Sequence, residues 1–150
     1  MTPRAHRYGM ETDRVTHVVI GAAIEVHSAL GPGLLESAYR ACMRNELLIR
    51  GLNVQVERPL RILYKGLRID VGYRIDLLVE DTLLVELKAV ERLRRVHEAQ
   101  LLSYLKLSEL PVGLLINFCV PQLRLGIKRM VNNLPETLDR RARKDRRGIE

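Results

Sequence analysis

The sequence predicts one α/β domain. Three observations carry that expectation: amphipathic helical periodicity over residues 14–50, two short alternating strands at 73–90 joined by a tight turn, and an apolar run at 111–120. A chain of 150 residues is long enough for one substantial core and short for two.

Residues 1–13 are assigned to an N-terminal tail. Met1 to Thr12 lack the apolar centre of a signal peptide, and no apolar run approaches the roughly 18 residues that cross a bilayer. The expectation is a cytoplasmic protein with no membrane partner. From Arg14 to Leu30, Val15, Val18, Val19, Ala22, Ala23, Val26 and Leu30 recur at threes and fours, which predicts a helix. Gly31-Pro32-Gly33 ends it, and a second helix is expected from Leu34 to Arg50, closed by Gly51. Glu36, Tyr39 and Met43 share one face of that helix. An acid in a first turn such as Glu36 serves the helix dipole or a site, and its position alone does not decide which.

Val54 to Leu63 reads as a strand in which Pro59 marks an edge or bulge. Tyr64-Lys65-Gly66 reads as a turn, Leu67 to Val71 as a further strand, and Gly72 as a bend. The triplet Arg-Ile-Asp occurs at 68–70 and again at 74–76, so Asp70 and Asp76 are rival candidates.

The following hairpin carries acids where a core strand should be apolar. By the two-residue period, Tyr73, Ile75, Leu77 and Val79 share one face, while Asp76 lies on the other with Arg74, Leu78 and Glu80. In the partner strand Glu86 and Lys88 are same-side neighbours. Directly opposed residues of a hairpin have a constant index sum, so the three-residue loop Glu80-Asp81-Thr82 sets Val79 against Leu83 and Asp76 against Glu86. Carboxylates about 5 Å apart repel and call for a cation, a shared proton or open water. A hard divalent cation such as Mg²⁺ answers the repulsion with oxygen ligands, and a solvated face of alternating charge is the other reading.

A helix is expected over 92–107, with His97, Gln100 and Tyr104 in one polar stripe. Pro111 to Val120 reads as a strand buried on both faces, and Leu123 to Val131 as a strand or short helix. Cys42 and Cys119 form neither a CxxC pair nor a disulfide framework and are expected to be reduced core residues. The net charge of +7 favours a polyanionic partner, although residues 139–150, with six basic and three acidic side chains, hold +3 of it. Residues 135–150 are assigned to a basic C-terminal tail.

The segment Gly33-Leu34-Leu35-Glu36-Ser37-Ala38-Tyr39 resembles the signature of the GxxExxY protein family. GYRIDLLVED, LVELKAVE, VHEAQLLSYLKL, GLLINF and GIKRMVN are similar to its successive blocks, so the resemblance covers roughly Val18 to Leu134. That family resembles the PD-(D/E)xK nuclease superfamily and its RecB-like branch. The implied fold is a restriction-endonuclease-like αβββαβ core, a mixed sheet flanked by helices, here with an extra N-terminal helix and spanning residues 14–134.

The resemblance also implies a site. Asp76 and Glu86-Leu87-Lys88 look like the acidic and ExK elements, with Ile75 where some members have proline. Glu36 resembles the extra helical acid, and Gln100 with Tyr104 resembles the QxxxY element. Glu36, Asp76, Glu86 and the Leu87 backbone carbonyl would hold Mg²⁺ or Mn²⁺, Lys88 would act on the attacking water, and Gln100 and Tyr104 would orient the reacting groups. The partner implied is nucleic acid, DNA ahead of RNA, and a homodimer would give so small a nuclease more surface on a duplex. A nuclease-like module that binds without cutting is the alternative.

Overall fold

The acidic hairpin forms the middle of the sheet. The computed structural model describes residues 3–132, in the order α1 (Pro3–Leu30), α2 (Glu36–Ile49), β1 (Val54–Pro59), β2 (Ile62–Tyr64), β3 (Leu67–Ile69), β4 (Arg74–Val79), β5 (Leu83–Lys88), α3 (Arg95–Ser108), β6 (Val112–Asn117) and β7 (Ile127–Val131). Five strands make one mixed sheet in the order β1-β4-β5-β6-β7. Strands β1, β4 and β5 are antiparallel, β6 runs parallel to β5, and β7 returns antiparallel. α3 supplies the crossover that a parallel pair requires. Counting α2, β1, β4, β5, α3 and β6 gives the αβββαβ order of a restriction-endonuclease-like core, with α1 as the extra N-terminal helix.

Helices cover both faces. On one side α1 and α2 bury Val19, Val26, Tyr39, Met43 and Leu47 against Leu77, Val79, Val85 and Ile116. On the other, Leu101, Tyr104 and Leu105 of α3 pack on Ile75, Leu78, Leu84 and Leu115. Every residue of β6 is buried, as its unbroken apolar run predicts. Gly113 lets α3 lie close, since a Cβ there would stand 3.0 Å from Leu101 Cδ1.

Four expectations change. The helix expected from Arg14 starts at Pro3, and Thr12, assigned to the tail, is buried and hydrogen-bonded through its hydroxyl to Thr82 at 2.7 Å. The strand expected over 54–63 is two, because the chain leaves the sheet after Pro59, and β2 and β3 pair only with each other. Leu123 to Val131 is both a 3₁₀ turn and a strand. Ile75 packs in the α3-side core with Leu78 rather than with Leu77 and Val79. The backbone explains this last difference: the β1–β4 ladder skips the Glu57–Asp76 pair, where Glu57 takes a left-handed φ of 52°, and resumes at Arg58 and Ile75. The strict two-residue alternation therefore fails at Asp76. The basic tail assigned to 135–150 lies outside the described residues.

The segment before α2 is locked by its tyrosine. Gly31 and Gly33 take φ of 71° and 104°, which side-chain-bearing residues rarely adopt. The Tyr39 ring stacks on Phe118 at 4.3 Å, while its hydroxyl donates to the Gly31 carbonyl at 2.5 Å and accepts from the Leu34 N–H at 3.2 Å. Tyr39→Phe keeps the ring and strands both backbone groups, so it should cost about 1–3 kcal/mol in urea unfolding. An unchanged midpoint would show that the hydroxyl does not hold the turn.

Candidate metal and phosphodiester site

Loop length and strand period bring the two acids together. Val79 pairs with Leu83 and Leu77 with Val85, the register expected from a three-residue loop, and the ladder stops there, one residue short of Asp76 and Glu86. Glu80 and Asp81 make the turn with φ of 52° and 53°. Beyond Leu77 the β4–β5 ladder gives way to side chains. The Asp76 N–H lies 3.4 Å from Glu86 Oε1, and the Leu87 N–H donates to Asp76 Oδ2 at 2.9 Å.

From Glu86 a polar chain leads to α3. Lys88 Nζ stands 3.7 Å from Glu86 Oε2 and donates to Gln100 Oε1 at 3.0 Å, and Gln100 Nε2 in turn donates to the Tyr104 hydroxyl at 3.1 Å. The i, i+4 spacing of Gln100 and Tyr104 aims both at the strand end. His97, in the same stripe, accepts from the Arg94 N–H at 2.9 Å and caps the helix instead.

Burial sets the electrostatics. Glu86 is only 5% exposed, and its carboxyl is pushed up from 4.5 to about 8, first by burial and then by the Asp76 charge, with Lys88 opposing. Burial likewise raises the Tyr104 phenol, which keeps it neutral near pH 7. The raised Glu86 carboxyl keeps its proton at neutral pH, which relieves the repulsion between the two acids. Asp70 has no part in this. It is exposed, and its carboxylate accepts from the Gly72 N–H and pairs with Arg74, contacts that lower its pKa.

The structure does not assemble the full expected ligand set. Among the described residues no three His, Cys, Asp or Glu side chains converge as a metal group. Glu36, half-buried in the first turn of α2, is therefore not joined to Asp76 and Glu86. What reaches Asp76 from α2 is Arg40, one turn further along. Its guanidinium lies 3.1 Å from Asp76 Oδ1 and 2.9 Å from Glu57 Oε1, tying the ladder break to the acid. The remaining donors, two adjoining carboxylates on a strand end, suit a hard cation that keeps waters in its shell. Arg40 holds Asp76 Oδ1 and the Leu87 N–H holds Oδ2, so a cation on Asp76 would share an oxygen with one of them.

Two residues escaped the sequence reading. Arg40 had a weak signal, its i+4 spacing from Glu36 on one helical face. Asn117 had a stronger one, as the lone polar side chain in an apolar strand. Buried at the end of β6, it accepts from the Val90 N–H at 3.0 Å and donates to the Val90 carbonyl at 2.8 Å, which fixes the chain just after Lys88.

No helix among the described residues is long and apolar enough to cross a membrane. No curated protein matches the chain, and no solved structure does. The family model described as the PD-(D/E)XK nuclease superfamily matches residues 13–130, a span that includes the αβββαβ core and the acidic hairpin. The chain belongs to the PD-(D/E)XK nuclease superfamily.

Proposed function

We propose that the protein is a metal-dependent nuclease that hydrolyses phosphodiester bonds, in DNA ahead of RNA. The observation that carries this reading is the unbroken polar chain Asp76, Glu86, Lys88, Gln100, Tyr104 at one end of the central strands. In finer placement, the Gly33-to-Tyr39 segment and the Gln100/Tyr104 pair favour the GxxExxY family and the RecB-like branch.

Bound Mg²⁺ or Mn²⁺ would polarise the scissile phosphate and acidify a coordinated water. Asp76 and Glu86 would hold the ion, with the Leu87 carbonyl as a backbone ligand, while Glu36, expected from the sequence as a third carboxylate, is not joined to them. Lys88 would position the water and offset charge that develops on the phosphate, with the proton of the metal-acidified water passing to solvent. Gln100 orients Lys88, to which it is already bonded, and Tyr104 braces Gln100.

Arg40 bears on the ion directly. Because it competes for Asp76 Oδ1, Arg40→Gln should tighten Mn²⁺ binding about tenfold by isothermal titration, equivalent to about 1.4 kcal/mol. Weaker binding in the variant would mean that Arg40 supports the site rather than competing for it.

The same ion pair favours a second reading, a nuclease-fold module that binds nucleic acid or a protein partner without cutting. Labelled single-stranded, double-stranded and branched DNA, and RNA, incubated with Mg²⁺, Mn²⁺ or EDTA, separate the two. Cleavage that needs metal and disappears in Asp76→Asn supports the nuclease. Salt-sensitive binding with no cleavage under any metal favours the silent module.

A further inference from the structure

We infer that the β2–β3 hairpin is a second nucleic-acid contact, which grips the phosphate backbone through Arg61, Lys65 and Arg68 and stacks an unpaired base on Tyr64. The inference rests on the nucleic-acid substrate of the proposed function. It names a surface that the active-site chemistry does not use.

The hairpin is separate from the fold it is inserted into. It forms a two-stranded sheet of its own between β1 and β4, closed at its base by a hydrogen bond from the Leu60 N–H to the Tyr73 carbonyl at 2.9 Å. A two-stranded ribbon buries little and is marginal by itself, so its exposed side chains call for another role. Pairing of Ile62 with Ile69 and of Tyr64 with Leu67 puts these four on one face. The isoleucines at the base are half-buried, whereas Tyr64 and Leu67 near the tip are 60% and 58% exposed. Contiguous apolar exposure of this kind marks a binding surface.

Charge selects the partner. Residues 58–74 contain Arg58, Arg61, Lys65, Arg68 and Arg74 against a single acid, Asp70, a net +4. With +3 on residues 139–150, these two segments account for the whole +7, and the rest of the chain balances to zero. Asp70 is engaged by Arg74 and the Gly72 N–H, and among the described residues Lys65 and Arg68 pair with no acid. Lys65 stands over the Tyr64 ring, its Nζ 5.4 Å from the centroid, so an aromatic face and a cation lie side by side at the tip. That combination suits a base and its own phosphate. In a duplex both faces of a base are already stacked, so only an unpaired base can lie on Tyr64.

The hairpin is also physically continuous with the site. β3 leads through Tyr73 into β4 and Asp76, and the Tyr73 ring lies 5.9 Å from that of Tyr104. Although the chain has few aromatic residues, two of its five tyrosines, Tyr64 and Tyr73, stand exposed on this path.

The test is fluorescence anisotropy of labelled single-stranded and duplex oligonucleotides in EDTA, so that cleavage plays no part, with far-UV circular dichroism and sedimentation as checks. Tyr64→Leu should weaken single-strand binding about tenfold and Tyr64→Phe should restore it, with duplex affinity unchanged. The double variant Lys65→Ala/Arg68→Ala should flatten the single-strand salt dependence by about 1.4 in log–log slope. If the wild type binds and these variants bind equally well, or if they change only self-association, the inference is overturned while the proposed nuclease stands. Loss of binding in the variants, with no cleavage by the wild type, keeps the interface and sinks the catalytic reading. A wild type that binds no oligonucleotide in EDTA overturns the inference, and the cleavage assay with Mg²⁺ or Mn²⁺ then decides the nuclease separately.

Discussion

Lys88→Met should lower metal-dependent cleavage by about a thousandfold while leaving oligonucleotide affinity within about threefold. Lys88 is the cation recorded beside Glu86, at 3.7 Å, and is held toward the strand end by Gln100. In the proposed mechanism its replacement removes charge compensation in the transition state and leaves binding surfaces elsewhere intact. It also removes the charge that opposes the rise in the Glu86 pKa, so the residual activity should shift to higher pH. Single-turnover cleavage across a pH series, set beside anisotropy on the same substrate, checks both points. Cleavage at the wild-type rate would remove Lys88 from the chemistry, and a matching loss of binding would make it a ligand for substrate only.

The second large effect is on stability. Glu86 has its folded-state pKa raised from 4.5 to about 8, so between those values the native state keeps a proton that the unfolded chain has released. The stabilisation is fully present below pH 4.5 and is lost as pH rises toward about 8, at up to about 1.4 kcal/mol per pH unit. Metal-free protein should therefore unfold at lower urea at about pH 8 than at about pH 5, beyond any change shown by Glu86→Gln, which carries no titrating group there. Parallel curves for the two proteins would show that Glu86 does not hold the proton. A metal bound by carboxylates displaces that proton, so Mn²⁺ binding at about pH 7 should release close to one proton, read from calorimetry in two buffers.

Local pattern made a good part of the fold legible. The helical stripes at Val15 to Leu30 and Glu36 to Met43, the apolar run of β6 up to Asn117 and the parity of the Glu80-Asp81-Thr82 loop all depend on neighbours in the chain, and the structure shows each where expected. The facing of Ile75 was misread because the period-two rule holds only while the backbone stays extended, and the break at Glu57 and Asp76 belongs to the pairing of two strands. The strands and turn of the β2–β3 hairpin were legible, but not its separation from the main sheet, for a related reason. Its residues alternate as any strand does, and nothing local says that they pair only with each other.

For the site, the sequence alone determined the hairpin register that brings Asp76 near Glu86 and sets Lys88 on the side of Glu86, because loop length and the period of β5 are properties of the local backbone. Only the tertiary structure left Asp70 exposed on Arg74 while Asp76 stands beside Glu86, buried Glu86 deeply enough to hold a proton, and set Arg40 rather than Glu36 on Asp76. Those outcomes depend on how α2, β1 and α3 pack against the hairpin, and burial and ion pairing between distant segments have no periodicity to be read.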